Sequence, residues 1–246
     1  MKIIEMIKKE LSTLSSRSRA TISQRFFKTG KGQYGEGDVF IGVSVPDIRI
    51  LAKRYFQDIS LKELLALLRS KIHEERLLAL IMMVYQFQKA TKVDDEKMRK
   101  ALFDVYLKNT KHINNWDLVD SSAEHIVGRF LCKKCGNKRR DVALPCLYNL
   151  AKSNYLWERR IAILATFHYI KHRDYKETLR LAKRLLRDEH DLIHKAVGWM
   201  LREMGKHGGH APLHTFLTAH ARTMPCTMLR YAIERLPPKT RQYFLR

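Results

Sequence analysis

Apolar residues recur every three to four positions along most of the chain, which is the spacing of one helix face. The pattern predicts helices over 2–14, 17–28, 46–56, 61–70, 73–90, 94–109, 115–131, 138–151, 155–172, 175–187, 190–206, 211–222 and 226–236, joined by short connections. Ser60-Leu61-Lys62-Glu63 reads as a capping box, and Pro46 suits the first turn of a helix that opens behind Ser44 or Val45. Strand signals are nearly absent. Val39–Val43 is a short apolar run beside glycine and reads as an extended loop. Five of the 11 glycines fall between Gly30 and Gly42, so a Gly-rich loop is expected over 29–45.

An all-helical chain of this kind fits a bundle or a stacked solenoid, and internal repetition distinguishes them. Trp116, Trp157 and Trp199 lie 41 and 42 residues apart, and His73 lies 43 residues before Trp116. HEAT-type helical pairs repeat every ~40–47 residues. Arg76, Arg160 and Arg202 each follow three residues after His73, Trp157 and Trp199. The expected architecture is therefore one α-solenoid domain over 1–246, with equivalent positions aligned along one side of the stack. Large tryptophans also fill cores, so a buried and a concave-surface placement both stand at this point.

Charge narrows the function. Lys plus Arg number 47 against 25 Asp plus Glu, a net charge of +22, which favours a polyanionic partner and above all nucleic acid. The charge is spread along the chain and not gathered on one amphipathic helix, which argues against a membrane surface. A composition of 45% hydrophobic and 29% charged residues excludes wholesale disorder. No apolar run approaches the ~18–20 residues of a membrane span. Glu5, Lys8, Lys9 and Glu10 interrupt the N-terminal stretch where a signal peptide needs apolar residues, so a cytoplasmic protein is expected, nucleoid-associated when bound to DNA. Cys132-Lys133-Lys134-Cys135 has the spacing of a metal pair, but no second pair follows. Reduced thiols, no metal and no cofactor are expected. His207, His210, His214 and His220 read as solvated or DNA-facing.

The segment Asn115-Trp116-Asp117-Leu118-Val119-Asp120 carries the candidate chemistry. Asn114 or Asn115 is a suitable N-cap, and Trp116 and Asp120, four apart, share a helix face. Asp117 in the first turn is accounted for by the helix dipole. Asp120 would repel phosphate if it merely lay in a DNA groove. It either pairs with an arginine such as Arg160 or performs chemistry. Tryptophan faces attract cations and stack on bases, and an arginine fork grips phosphate. Together these groups suit a positively charged nucleobase, whose departure leaves an oxocarbenium-like sugar. An ionised Asp could stabilise that cation and position water, with no general acid needed. Lys111, Arg139, Arg140, Arg159, Lys195 and Arg202 are candidate phosphate contacts.

Asn114–Asp120, Leu156-Trp157-Glu158-Arg159-Arg160 and Lys195–Glu203 resemble the AlkD family of alkylpurine DNA glycosylases, as do Tyr34–Asp38 and Phe40–Pro46. The resemblance extends from about residue 20 to about residue 205. It implies an α-solenoid of HEAT-like repeats whose basic concave face cradles duplex DNA. The implied reaction is hydrolysis of the N-glycosidic bond of cationic N3- and N7-alkylated purines, with the damaged base left in the stack. The implied catalytic set is Asp120 with Trp116 and Trp199. The implied DNA-binding set is centred on Arg160, with Trp157 in support and Arg159, Arg202 and Lys195 as further candidates. Tyr34 and Phe40 either cap the lesion site or pack their loop on the first repeat. The expected partner is double-stranded DNA, met by a monomer with no obligate protein partner.

Two other classes use the same features differently. A non-catalytic nucleic-acid-binding solenoid would make Asp120 a structural partner of an arginine. A HEAT-type protein adaptor would direct the charge at an acidic protein surface. The Asp120→Asn substitution separates the first of these from an enzyme, and DNA retention at physiological salt excludes the second.

Overall fold

The computed structural model describes residues 3–132 and 140–245, with side chains described over 3–132 and 145–245. The chain is helical, as the apolar period requires; among the described residues its one extended pairing is a parallel bridge between Val39 and Ile72. It divides into two compact units, Met1–Ser122 and Ala123–Arg246. No described helix is long and apolar enough to cross a membrane.

The first unit contains α1 (Ile3–Thr13), α2 (Arg17–Phe26), α3 (Val45–Tyr55), α4 (Leu61–Leu68), α5 (His73–Lys92), α6 (Glu96–Lys108) and the short α7 (Trp116–Asp120). The expected caps are present. Ser60 and Glu63 form a reciprocal capping box on α4, and Ser44 caps α3 with Pro46 in its first turn. Helix α5 is the axis of the unit, and α3, α4 and α6 pack against it. All its residues from His73 to Val84 are buried, so that stretch shows no polar face. Its first turn nonetheless carries four ionisable groups, each with a partner. Glu74 accepts from the backbone N–H groups of Ile41 (3.1 Å) and Gly42 (2.7 Å), which fastens the Gly-rich loop to the helix start. Glu75 pairs with Lys8 at 2.9 Å.

The second unit contains a π-helical turn (Glu124–Gly128), α8 (Arg129–Leu131), α9 (Arg140–Lys152), α10 (Leu156–Lys171), α11 (Lys176–Arg184), α12 (Asp191–Lys206), α13 (His210–His220), α14 (Cys226–Ile233) and α15 (Pro238–Leu245). Here α10 is the buried axis, flanked by α9, α11 and α12, and α12 packs in turn on α14. Helix α15 was not expected from the pattern. It buries only Phe244 and so lacks a repeating apolar stripe.

The single helix expected over 115–131 is instead broken after Asp120. Ser121 Oγ (3.2 Å) and Ser122 Oγ (2.5 Å) both donate to the Leu118 carbonyl, occupying an acceptor that the helix would otherwise use. The chain resumes in the π turn, where Gly128 lies against α10 so closely that a Cβ would sit 2.1 Å from the Ala165 carbonyl oxygen.

The helical repeats share a start motif whose register differs from the tryptophan spacing. Before α5, Ser70 Oγ accepts from Ile72 N at 3.0 Å, and Arg76 Nη1 reaches back to Ser70 O at 2.9 Å. Before α10, Ser153 Oγ accepts from Tyr155 N at 3.0 Å, and Arg159 Nη1 donates to Ser153 O at 3.0 Å. Before α12, Asp188 Oδ1 accepts from His190 N at 3.0 Å, and His194 Nε2 donates to Asp188 O. In all three an anchor residue restrains the backbone two positions on, and the side chain six positions on restrains the anchor. Arg76 is thus the counterpart of Arg159, not of Arg160. Trp116, Trp157 and Trp199 are the first, second and ninth residues of their helices and are not equivalent positions.

Gly42 has φ +77°, and a Cβ there would meet Ser16 O at 2.2 Å and Ala20 N at 2.6 Å. Gly42→Ala is expected to lower stability by roughly 2 kcal/mol or more, from the left-handed backbone and the backbone clash together. Denaturant unfolding of the variant beside the wild type measures it, and an unchanged midpoint would refute the close approach.

Candidate functional site

Helix α7 is five residues long, too short to hold its own geometry by main-chain hydrogen bonds alone. It is held from outside. Asn115 is the N-cap, its Oδ1 accepting from Trp116 N at 2.8 Å, while its Nδ2 donates to Asp38 at 3.3 Å. Asn114 Nδ2 donates to the other Asp38 oxygen at 3.0 Å. Arg76 Nη2 pairs with Asp38 at 2.6 Å. His73, 1% exposed, stands between two carboxylates, with Nδ1 3.2 Å from Asp38 and Nε2 2.7 Å from Asp117. One buried cluster thus joins the Gly-rich loop, the start of α5 and the first turn of α7.

Electrostatics follow from that geometry. Burial by itself would push His73 down, but the Asp117 charge and the hydrogen bonds to Asp117 and Asp38 outweigh it and hold the imidazole above its usual range. Burial would raise Asp38, yet His73 and Arg76 hold it below the usual carboxylate range. An imidazolium donating from both nitrogens is the state that satisfies both acids. Sequence reasoning gave Asp117 only a dipole role and missed this cluster. The signal was the run His73-Glu74-Glu75-Arg76 opening a helix that is otherwise apolar, because charges buried there need partners.

Trp116 is half-buried and ends a column of rings. It stacks on Phe27 (centroids 5.2 Å, 20°), Phe27 on Phe40 (5.0 Å, 16°), and Phe40 on His73 (4.4 Å, 22°). Phe26, 62% exposed, meets Trp116 edge-on at 5.8 Å. Phe40 is therefore a packing residue of the loop, and Tyr34 donates to Phe26 O at 3.5 Å. Asp120, half-buried, closes α7. Tyr106 is buried with its hydroxyl on Ser122 Oγ at 2.9 Å, and burial chiefly raises its pKa, with the Asp120 charge adding to the rise.

The other expected site residues belong to the second unit. Trp199 is half-buried on α12, its Nε1 donating to the buried Glu203 at 3.3 Å and its ring 6.2 Å from Phe167. Arg202 pairs with Glu203 at 3.4 Å and with Glu234. Lys195 pairs with Asp191 at 2.7 Å and stays partly exposed. Three residues expected to serve DNA binding lie mostly within the protein. Trp157 is 3% exposed and fills the core. Arg160 is 4% exposed and gives Nη1 to the Leu192 carbonyl at 2.5 Å, tying α10 to the first turn of α12. Arg159 is held by Asp188 at 2.6 Å and by the Ser153 and Asn154 carbonyls. Lys111 is exposed, whereas Cys135, Arg139 and the Arg140 side chain lie outside the described residues. Cys132 is buried, and no group of His, Cys, Asp or Glu among the described residues is arranged to hold a metal. His207 donates to Glu203 O at 2.9 Å, and His210 and His214 are exposed.

The raised His73 value has a definite sign. Its contribution is fully present below the unfolded-state value of about 6.5 and is lost as pH rises through the folded value. The lowered Asp38 value acts oppositely, present above about 3.9 and lost as pH falls through the folded value. His168, pushed down to about 3 by burial, loses stability as pH falls below about 6.5, so the useful quantity is the difference between wild type and His73→Gln. That difference is expected to be largest between about pH 4 and 6.5 and to shrink above. Thermal unfolding of both proteins across pH checks it, and a difference that grows with pH would refute an imidazolium.

No curated protein matches the chain. A solved chain described as a predicted DNA alkylation repair enzyme from Enterococcus faecalis matches with TM-score 0.66 at 15% identity, covering 91% of this chain and 97% of that one, a likeness of fold. The family model described as DNA alkylation repair enzyme matches residues 7–236, nearly the full length over which the two units were traced. With that match the chain belongs to the DNA alkylation repair enzyme family.

Proposed function

We propose that this member of the alkylation repair family is a monofunctional DNA glycosylase. It hydrolyses the N-glycosidic bond of cationic N3- and N7-alkylated purines in duplex DNA, acting as a monomer without a cofactor. The observation that carries the reading is the state of α7. A half-buried carboxylate, Asp120, sits one turn from a half-buried indole, Trp116, on a helix whose first turn is immobilised by the Asp38–His73–Asp117 cluster. Preorganisation of this kind favours electrostatic stabilisation, because no reorientation is needed as charge develops.

In this reading Asp120 stabilises the oxocarbenium-like sugar and orients the attacking water. The departing base is already cationic and needs no proton. Trp116 and Trp199 supply aromatic faces to the electron-poor deoxyribose, and the base stays in the stack. Arg160 acts at one remove, through its grip on the start of the helix that bears Trp199. Among the phosphate-facing candidates Lys195 keeps the most exposure, and Arg202 and Arg159 are each about one-fifth exposed.

Release of methylated bases from N7- and N3-methylated duplex DNA under single-turnover conditions tests the assignment. Asp120→Asn is expected to slow release by on the order of 10²–10³-fold with duplex binding unchanged. Trp199→Ala is expected to cost roughly 10-fold. Binding without release by the wild type would favour the non-catalytic solenoid and remove the role given to Asp120.

A further inference from the structure

The second unit carries a basic cavity that the proposed chemistry does not use. It is open, has a volume of about 710 Å³, and lies between the last turn of α9 and the outer face of α11 with the turn that follows. Arg180, Lys183, Arg184 and Arg187 line it at helical spacing, and Lys152 faces it from α9. Neither Trp199 nor any residue of α12 lines it.

Charge balance in the cavity is one-sided. Arg180 shares its charge with Glu177 at 3.2 Å. Asp188, the lining carboxylate, is already held by Arg159 at 2.6 Å. Lys152, Lys183, Arg184 and Arg187 have no ion pair among the described residues. Four like charges around one cavity repel each other and gain from a shared anion. The opposite face of α11 is buried through Thr178, Leu181 and Ala182, with Glu177 at its start, so the cationic stripe is fixed outward. Successive turns of a helix advance 5.4 Å, so Arg180, Arg184 and Arg187 present cations in steps that a phosphodiester chain can follow phosphate by phosphate. Arginines add forked donors suited to phosphate oxygens.

We propose that this cavity is a second phosphodiester-binding site, which holds DNA backbone through residues other than those given the chemistry. It is independent of which residues perform the chemistry, since it concerns binding to undamaged duplex.

The test is a salt titration of binding to a short undamaged duplex, followed by fluorescence anisotropy between about 50 and 200 mM salt. The wild type is compared with a triple variant, Lys183→Gln, Arg184→Gln and Arg187→Gln. A control variant of equal charge change carries Lys62→Gln, Lys97→Gln and Lys239→Gln. Each lost phosphate contact removes about 0.9 from the log–log slope, so the cavity variant is expected to be shallower by about 2–3 and the control by less than about 1. Equal slopes for the two variants would overturn the proposal, since only net charge would then matter. Inorganic pyrophosphate forms a second arm. Saturable pyrophosphate binding lost in the cavity variant, with an unchanged duplex slope, would also overturn it in favour of a small-anion site.

Discussion

A buried imidazole between two carboxylates organises the first unit. His73 is the point where three otherwise separate pieces meet: Asp38 of the Gly-rich loop, the first turn of α5, and Asp117 of α7. Breaking a buried ion pair by removing one partner typically costs ~3–5 kcal/mol, because the remaining charge is left without compensation. That scale is comparable to a large part of a domain's net stability. The loop also packs through Phe40 and Val43 and is clamped by Glu74, whereas α7 has five residues. Helix α7 therefore depends most on this cluster for its placement, and so does the carboxylate of Asp120 at its far end.

The ring column extends the same logic by other means. Trp116, Phe27, Phe40 and His73 stack in order, so the indole rests on a series of planes that ends on a charged ring. An imidazolium against Phe40 adds a cation–π attraction to the packing. Position and orientation of Trp116 are therefore set by groups from three elements, while part of its surface stays open.

Much of this fold was legible in the chain. Capping at Ser60 and Ser44, the extended run at Val39–Val43 and most helix bounds followed from local rules that depend on a few neighbouring residues. What was not legible depended on partners distant in sequence. Asp117 looked like a dipole residue until His73, 44 positions away, met it. The tryptophan spacing suggested a register that the hydrogen bonds at Ser70, Ser153 and Asp188 replace, because large side chains can sit anywhere on a helix that finds a hole for them. Arg159, not Arg160, takes the register position of Arg76 for the same reason. Neighbouring residues on a helix point about 100° apart, and the pattern alone does not say which faces the inside.

The start motif of α5, α10 and α12 divides each connection into two parts with different tolerance for change in length. Between anchor and clamp, from Ser70 to Arg76, from Ser153 to Arg159 and from Asp188 to His194, one added residue would carry the reaching side chain out of register with the carbonyl it holds. Ahead of the anchor no such tie exists within the motif. Variation in repeat length therefore has a permitted place, upstream of Ser70, Ser153 and Asp188, and relatives of this chain can lengthen or shorten there while each central helix still begins in the same way.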